Sequence, residues 1–296
     1  MSPQGPRAAL TPRALGGLLQ ATLQAWLADR APTMGAALAY YTLFSMAPLL
    51  LIAIALAGQF IGVDAARAAM LGQLHGLLGR EGADAVAGLL ASVQRNDQSV
   101  SGTVIGAVLL LVGATSVFAE LQDSLDRIWQ VPARPEMANA WWLLLRTRLM
   151  SFGMILGIGF LLLVSLAVGA ALTVLSRWWA PVFGQWETLL TVANHAFGFV
   201  VTATLFAVIY KTIPRQRVGW PDVWLGSAVT SLLFTLGKAA IGWYVSTSGV
   251  ASGFGAASSI VVLLVWVSWS AQVFLLGAEF TWVFAHRYGS RQHDAE

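Results

Sequence analysis

The dominant pattern in the chain is the alternation of six long apolar runs with shorter segments that hold most of the charged residues. Each run has roughly the 20 residues that an α-helix needs to cross about 30 Å of hydrocarbon. We therefore predict an all-α polytopic membrane protein, a bundle of six transmembrane helices. The predicted spans are Gly35–Gly58, Gly102–Leu121, Leu149–Leu175, Leu189–Ile209, Val223–Val245 and Ala257–Phe284.

The remaining segments complete a single integral membrane domain, residues 1–296. Segment 1–33 carries Leu and Trp residues at helical spacing, which predicts a helix at the cytoplasmic interface or, equally, one packed under the bundle. Residues 35–284 hold the six spans, and residues 285–296 form a tail. The first run lacks a small-residue cleavage site and exceeds a signal-peptide core, so we expect it to be retained.

The longest connector, residues 59–101, has its own apolar periodicity. It predicts two short amphipathic helices separated by Gly79 and Gly82. These helices rest on the outer membrane surface or, as an alternative, roof a cavity.

Composition and charge agree with a membrane protein and set its orientation. The chain is 57% hydrophobic and 10% charged, whereas soluble domains are usually about 25% charged. Of the 17 Lys and Arg residues, 12 fall in segments on the side of the two termini and 4 on the opposite side. The positive-inside rule then predicts that both termini are cytoplasmic. The basic residues form no stripe, so we expect no nucleic-acid partner, and the absence of cysteine excludes thiolate chemistry.

Ionisable side chains within a span are functional hypotheses, because burying them in a membrane is costly unless they are paired or hydrated. Lys238 lies in the outer half of the fifth span, and His195 and Asn194 enter the fourth span at a depth that Lys238 can reach. Glu279 lies in the cytoplasmic third of the last span, and Glu120 lies at a similar level in the second.

These groups fall into two layers, so a direct ion pair between Lys238 and Glu279 is not expected. Lys238 either faces a wet cavity that admits an anionic headgroup, or it extends toward the outer interface or bonds backbone carbonyls. For Glu279 a basic partner in the cytoplasmic loops is favoured over a proton relay. Glu120, Asp123 and Asp126 share one helix face, which is typical of a solvated helix end.

Smaller polar residues and helix breakers complete the candidate path. Pro48 follows Tyr40 and Ser45 in the first span and predicts a kink that frees backbone carbonyls. Ser268 and Gln272 in the last span line a path or bond neighbouring helices. Glycines at close spacing predict tight helix packing; they are Gly153, Gly157, Gly253, Gly255 and Gly277.

Three stretches of the chain resemble the YihY/BrkB family. The opening stretch is Ala36–Leu50, AALAYYTLFSMAPLL. The second is Tyr210–Pro214, YKTIP, followed by Trp220–Asp222, WPD. The third is Gly253–Ala256, GFGA, running into Leu276–Phe280, LGAEF.

The resemblance covers roughly residues 20–285 and implies a bacterial inner-membrane protein with about six spans. Members of the family have been labelled virulence-associated membrane factors and "ribonuclease BN". Metal-dependent phosphodiester hydrolysis requires clustered His and Asp ligands. The four histidines, His75, His195, His286 and His293, are scattered along the chain. We therefore expect no nuclease or other enzymatic activity, no metal and no cofactor.

The family has been linked to envelope lipid traffic, which implies transport or translocation of a lipid or another amphipathic anion. The alternative is a non-catalytic scaffold that docks an envelope protein through the outer helices, at Leu74 and Leu78. Membrane lipids are the expected partners in the first case. The sequence determines neither the substrate, the energy source nor the oligomeric state.

Overall fold

The structure, a computed structural model, describes residues 12–96, 116–132, 186–216, 218–249 and 258–292. Within these ranges the regular structure is helical, with no β-strand. The helices are α1 (Pro12–Ala28), α2 (Ala31–Ile61), α3 (Val63–Asn96), α4 (residues 116–128), α5 (Trp186–Thr212), α6 (Trp220–Thr247) and α7 (Ser258–Arg287).

Some predictions fall on parts of the chain that the structure does not describe. These are the third span, most of the second span, and the four glycines Gly153, Gly157, Gly253 and Gly255.

Three described helices are long and apolar enough to cross a membrane. The qualifying segments are His195–Thr212 in α5, Trp220–Thr247 in α6 and Ile260–Arg287 in α7. They coincide with the fourth, fifth and sixth predicted spans. Apolar side chains cover their outward faces; Trp243 of α6, for example, is 71% exposed. Such a surface suits hydrocarbon, because water would have to solvate it at considerable cost.

Proline, glycine and a left-handed residue define the helix boundaries. Arg30, with φ of 57°, ends α1, and Pro32 occupies the first turn of α2, where its missing N–H is not needed. Gly62, with φ of 85°, separates α2 from α3. A side chain would be strained there, since this backbone region favours glycine. Pro221 starts α6 in the same way as Pro32 starts α2.

Helix α7 is the central element, and it contacts α1, α2, α3 and α6, while α5 packs on α6. The starts of α2 and α6 meet the end of α7 at one end of the bundle, which we name the basal end. The opposite end is the distal end.

Two clusters of apolar side chains form the core. The basal core joins the end of α4 to α2, α5, α6 and α7, with Trp129, Tyr210 and Leu275 fully buried within it. The distal core joins α3 to α2, α6 and α7 around Val86 and Leu263. A smaller cluster holds α1 against α7 through Leu18, Phe280 and Val283.

The outer connector differs from the prediction. Instead of two helices separated at Gly79 and Gly82, residues Val63–Asn96 form one continuous helix, α3. One face of α3 is buried in the distal core, through Ala85 and Val86 among others. Tertiary packing offsets the helix-weakening effect of each glycine, which is about 1 kcal/mol. Helix α2 likewise runs uninterrupted through Pro48.

Candidate functional site: polar groups at two levels of the bundle

The contact between α6 and α7 fixes the relative height of their residues. Gly226 of α6 faces Thr281 of α7, and Gly277 of α7 faces Thr230 of α6. A Cβ atom on either glycine would overlap the facing threonine. Each threonine hydroxyl donates to the carbonyl four residues earlier in its own helix, at 2.7 Å. The two helices are therefore antiparallel and in a fixed register.

A buried tyrosine connects three helices just beside this contact. The Tyr210 hydroxyl, at the end of α5, donates to the Phe274 carbonyl of α7 at 2.7 Å and lies 3.1 Å from the Thr230 hydroxyl of α6. Its ring packs against Phe206 and Phe274. Every polar atom of this small network has a partner, so its role is structural.

The end of α4 is anchored to the connector between α5 and α6. Arg215 donates through its backbone N and its Nε to the Asp126 carboxylate, at 2.9 and 2.5 Å. Asp126 is only 5% exposed. The predicted solvated helix end is thus wrong at Asp126, because a basic residue 89 positions away in the chain covers it.

The family-like motifs at the basal end have similar anchoring roles. Asp222, in the first turn of α6, accepts hydrogen bonds from the Ser290 backbone and hydroxyl, at 3.1 and 2.6 Å. Lys211 donates to the Val218 carbonyl and lies over the Trp220 ring. These contacts fasten the helix ends to one another at the basal end.

A groove of about 390 Å³ lies between α2 and α7. Gln272 Nε2 donates to Ser268 Oγ at 3.3 Å and forms the polar part of its wall. Ligand pockets commonly have volumes of about 300–1,000 Å³ and only a few polar groups. Its lining residues are Ala36, Ala39, Leu264, Val265, Ser268, Trp269 and Gln272.

Lys238 lies at the level of this groove on the other side of α7. Its neighbour Gly237 packs against Trp269, whose Nε1 would be 3.0 Å from a Cβ atom at Gly237. Lys238 is half-buried, and its ammonium lies 5.8 Å from the centroid of the Phe234 ring. We name Lys238, Ser268 and Gln272 the distal polar level.

An acid from α3 reaches the same stretch of α6. A Cβ atom at Gly242 would lie 3.2 Å from Glu81 Oε2. Gly242 follows Lys238 by one helical turn, so Glu81 lies one turn away from the lysine. The sequence analysis did not predict Glu81, because this residue lies in a predicted connector and nothing in the local sequence indicates that it reaches the level of Lys238.

Two of the other predicted path residues, His195 and Tyr40, point away from the interior of the bundle. His195 is exposed on α5 and forms no hydrogen bond or ion pair within the described residues. Tyr40 is also exposed and packs edge-on against Tyr41 and Phe44 of its own helix. The side chain of Asn194 lies outside the described residues.

Ser45 and Glu120 interact locally. The Ser45 hydroxyl is buried and donates to the Thr42 carbonyl of α2 at 3.1 Å. Glu120 is half-buried on α4 and interacts with the charges of Asp123 and Arg127, one and two turns further along. Neither side chain reaches the distal polar level.

Glu279 forms a second level toward the basal end. It follows Trp269 by ten residues of α7, which corresponds to roughly 15 Å. Within the described residues no basic side chain forms an ion pair with Glu279, and the loop residues Arg134, Arg146 and Arg148 lie outside that part of the chain, so the predicted basic partner stays a prediction. The charged group that acts on Glu279 is Asp29, in the turn between α1 and α2. We name Glu279 and Asp29 the basal acidic pair.

The sequence profile of one protein family, "Virulence factor BrkB", matches residues 22–296. The chain belongs to the BrkB family. This confirms the resemblance carried by the three motifs, and it agrees with the apolar helices in describing an integral membrane protein.

Three relatives are UPF0761 membrane proteins. The one from Alkalilimnicola ehrlichii is 28% identical over 272 residues, 88% of this BrkB chain and 56% of that protein. The one from Ralstonia nicotianae is 27% identical over 260 residues, 84% and 54% of the two chains. The one from Klebsiella pneumoniae is 30% identical over 184 residues, 60% and 59% of the two chains. The BrkB chain thus spans little more than half the length of these relatives. No solved structure matches it.

Proposed function

We propose that this BrkB-family protein translocates a lipid, or another amphipathic anion, across the bacterial inner membrane. The observation that carries the proposal is the groove between α2 and α7, where a hydroxyl and an amide lie in an apolar wall at the depth of Lys238. A lipid needs apolar space for its chains and polar or basic groups for its headgroup. The groove supplies the apolar space together with Ser268 and Gln272, and Lys238 supplies a basic group at the same depth on the neighbouring face of the bundle.

The architecture that goes with this proposal is six spans with both termini in the cytoplasm. In that orientation the basal end is cytoplasmic, and the groove and Lys238 lie toward the outer leaflet. The proposal requires no enzymatic step, no cofactor and no nucleic-acid partner. Within the described residues, no group of three or more His, Cys, Asp or Glu side chains is placed to hold a metal ion.

A flux assay in reconstituted vesicles tests the proposal. Purified protein is incorporated into vesicles that contain fluorescent phospholipid, and movement between leaflets is followed by quenching from outside. We expect wild type to accelerate movement, and Lys238→Ala to return it to the rate of empty vesicles because the headgroup loses its cation. The matched control is Leu236→Ala, an exposed apolar position on the same helix, which should keep wild-type flux.

Two outcomes of the flux assay contradict parts of this proposal. A wild-type rate equal to that of empty vesicles, for both zwitterionic and anionic lipids, removes the transport function. If the Lys238→Ala variant moves lipid at the wild-type rate, Lys238 does not bind the headgroup.

The scaffold alternative requires a free apolar face on α3. Leu74, one of the two residues predicted to dock a partner, packs against the distal core. A charge at Leu74 would therefore disturb the fold as well as any docking, and transport is the hypothesis that we favour.

A further inference from the structure

Glu279 is a carboxyl group enclosed within the protein. Its relative exposure is 0%, and neither Oε1 nor Oε2 has a hydrogen-bond partner of ordinary geometry. An ionised carboxylate in such a place costs several kcal/mol unless a cation or several donors compensate it. No described group supplies that compensation.

The group that Glu279 faces is a second acid. Asp29 acts on Glu279 through its charge and is itself partly exposed at the basal end of the bundle. Two carboxyl groups in one site repel each other when both are ionised, and sharing one proton relieves the repulsion.

Several other charged groups near the basal end are bonded to other partners. Asp126 is bonded to Arg215, and Asp222 is bonded to Ser290. Arg287 donates to the Gly17 carbonyl of α1. Asp29 is the described charged group that acts on Glu279.

The surroundings fit a proton better than a metal ion. Helix α1 packs on α7 through Leu18, Phe280 and Val283, which have no oxygen ligands in their side chains. Ca²⁺ needs about 6–8 oxygen ligands and Mg²⁺ about six. A proton needs only the two carboxyl groups.

We propose that Glu279 and Asp29 together bind one exchangeable proton, as a protonation site at the basal end of α7. Proton binding by this pair stands independently of transport. Its use as the energy source for lipid movement rests on the function proposed above.

Infrared difference spectroscopy on the full chain in lipid nanodiscs tests the site directly. At neutral pH, wild type should show the C=O stretch of a protonated carboxyl group. Glu279→Gln should remove this band, and Asp29→Asn should shift its frequency. The matched control is Asp123→Asn, an exposed acid on α4, which should leave the band unchanged.

Several results would overturn the proposal. Wild type and Glu279→Gln with the same carboxyl spectrum would mean that Glu279 carries no proton. A band that disappears when sodium replaces choline would assign a cation to the site instead. If the Glu279→Gln variant fails to fold, the Asp29→Asn variant tests the proposal. An unshifted band in that variant would show that the two carboxyl groups are not coupled and would overturn the proposal.

A second readout separates this proposal from the transport function. Vesicles with an imposed proton gradient should show faster lipid flux than vesicles without one, and Glu279→Gln should lose that difference. If the infrared band is present but wild type moves no lipid, transport fails and the protonation site stands. If lipid moves but Glu279 carries no proton, only the protonation site fails.

Discussion

Single residues determine how closely α6 and α7 approach each other. Gly226 and Gly277 each leave room for a threonine of the facing helix. In a membrane, helix association depends on such close packing, since lipid tails are as apolar as the helices. Each threonine satisfies its hydroxyl within its own helix, so it enters the contact without an unpaired polar group.

Substituting these glycines should weaken the fold. Gly226→Ala and Gly277→Ala should each lower the free energy of unfolding by about 1–3 kcal/mol, because the new methyl group overlaps a threonine. The control is Gly198→Ala in α5, where a Cβ atom meets nothing within 4 Å. It should be neutral or stabilising by at most about 1 kcal/mol. Thermal unfolding in detergent, followed by circular dichroism, measures all three variants, and equal melting temperatures would contradict the packing role.

The sequence predicted which residue types matter better than it predicted their partners. Glu279 and Lys238 stand out because a charge within an apolar run is conspicuous. Asp29 lies in a connector and was not predicted, and the burial of Asp126 depends on Arg215, which is distant in the chain. Both pairs, Glu279 with Asp29 and Asp126 with Arg215, form only when the helices pack in a particular register. The local periodicity of the sequence does not determine that register.

At the scale of elements, α1 combines the two alternatives that its sequence left open. Its Leu18 is buried against α7, so the helix does pack under the bundle. Its other face carries an exposed row of leucines, with Leu19 at 61% exposure. A helix with one such face suits the boundary between headgroups and acyl chains. The leucines of the row are Leu15, Leu19, Leu23 and Leu27.

Spin labels can measure the immersion of α1. Because the chain has no cysteine, a single cysteine at Leu23 or at Gln24 carries the only label. Both positions are exposed in the protein. We expect oxygen to relax the label at Leu23 more strongly, and a water-soluble nickel reagent to relax the label at Gln24 more strongly, since oxygen concentrates in hydrocarbon. Equal accessibility at the two positions would contradict the interfacial placement.

Helix α3 shows where periodicity misleads. Two glycines between two apolar faces indicate a break when each segment is considered alone. In the folded chain, small residues such as Ala85 allow α3 to pack along the distal core. The contacts with α2, α6 and α7 then maintain a helix that local propensity would interrupt.

For the whole molecule, the membrane class and the last three spans were predictable from apolar length alone. The positions of the apolar runs also give the order of the helices. How α7 comes to be surrounded by four other helices was not predictable, because lipid-facing and protein-facing residues are equally apolar in a membrane.

Sided labelling tests the predicted orientation of the whole chain. A membrane-impermeant maleimide should react with a cysteine at Arg13 or Gln292 only after the cytoplasmic side is opened. A cysteine at Asp84, exposed on α3, should react in intact cells. Lys and Arg are concentrated on the side of the termini, which is the physical reason for this expectation. Reaction at Arg13 from outside would reverse the topology.

The interlocking of glycine and threonine between α6 and α7 has a mechanical consequence. Two helices whose side chains interdigitate in both directions cannot slide past each other without separating first. In the transport cycle proposed above, we therefore expect them to move as one rigid body. The wall of the groove on the side of α2 is made by the methyl groups of Ala36 and Ala39. Under the transport function proposed above, we expect any widening of the groove to come from movement of α2 against the fixed α6–α7 pair.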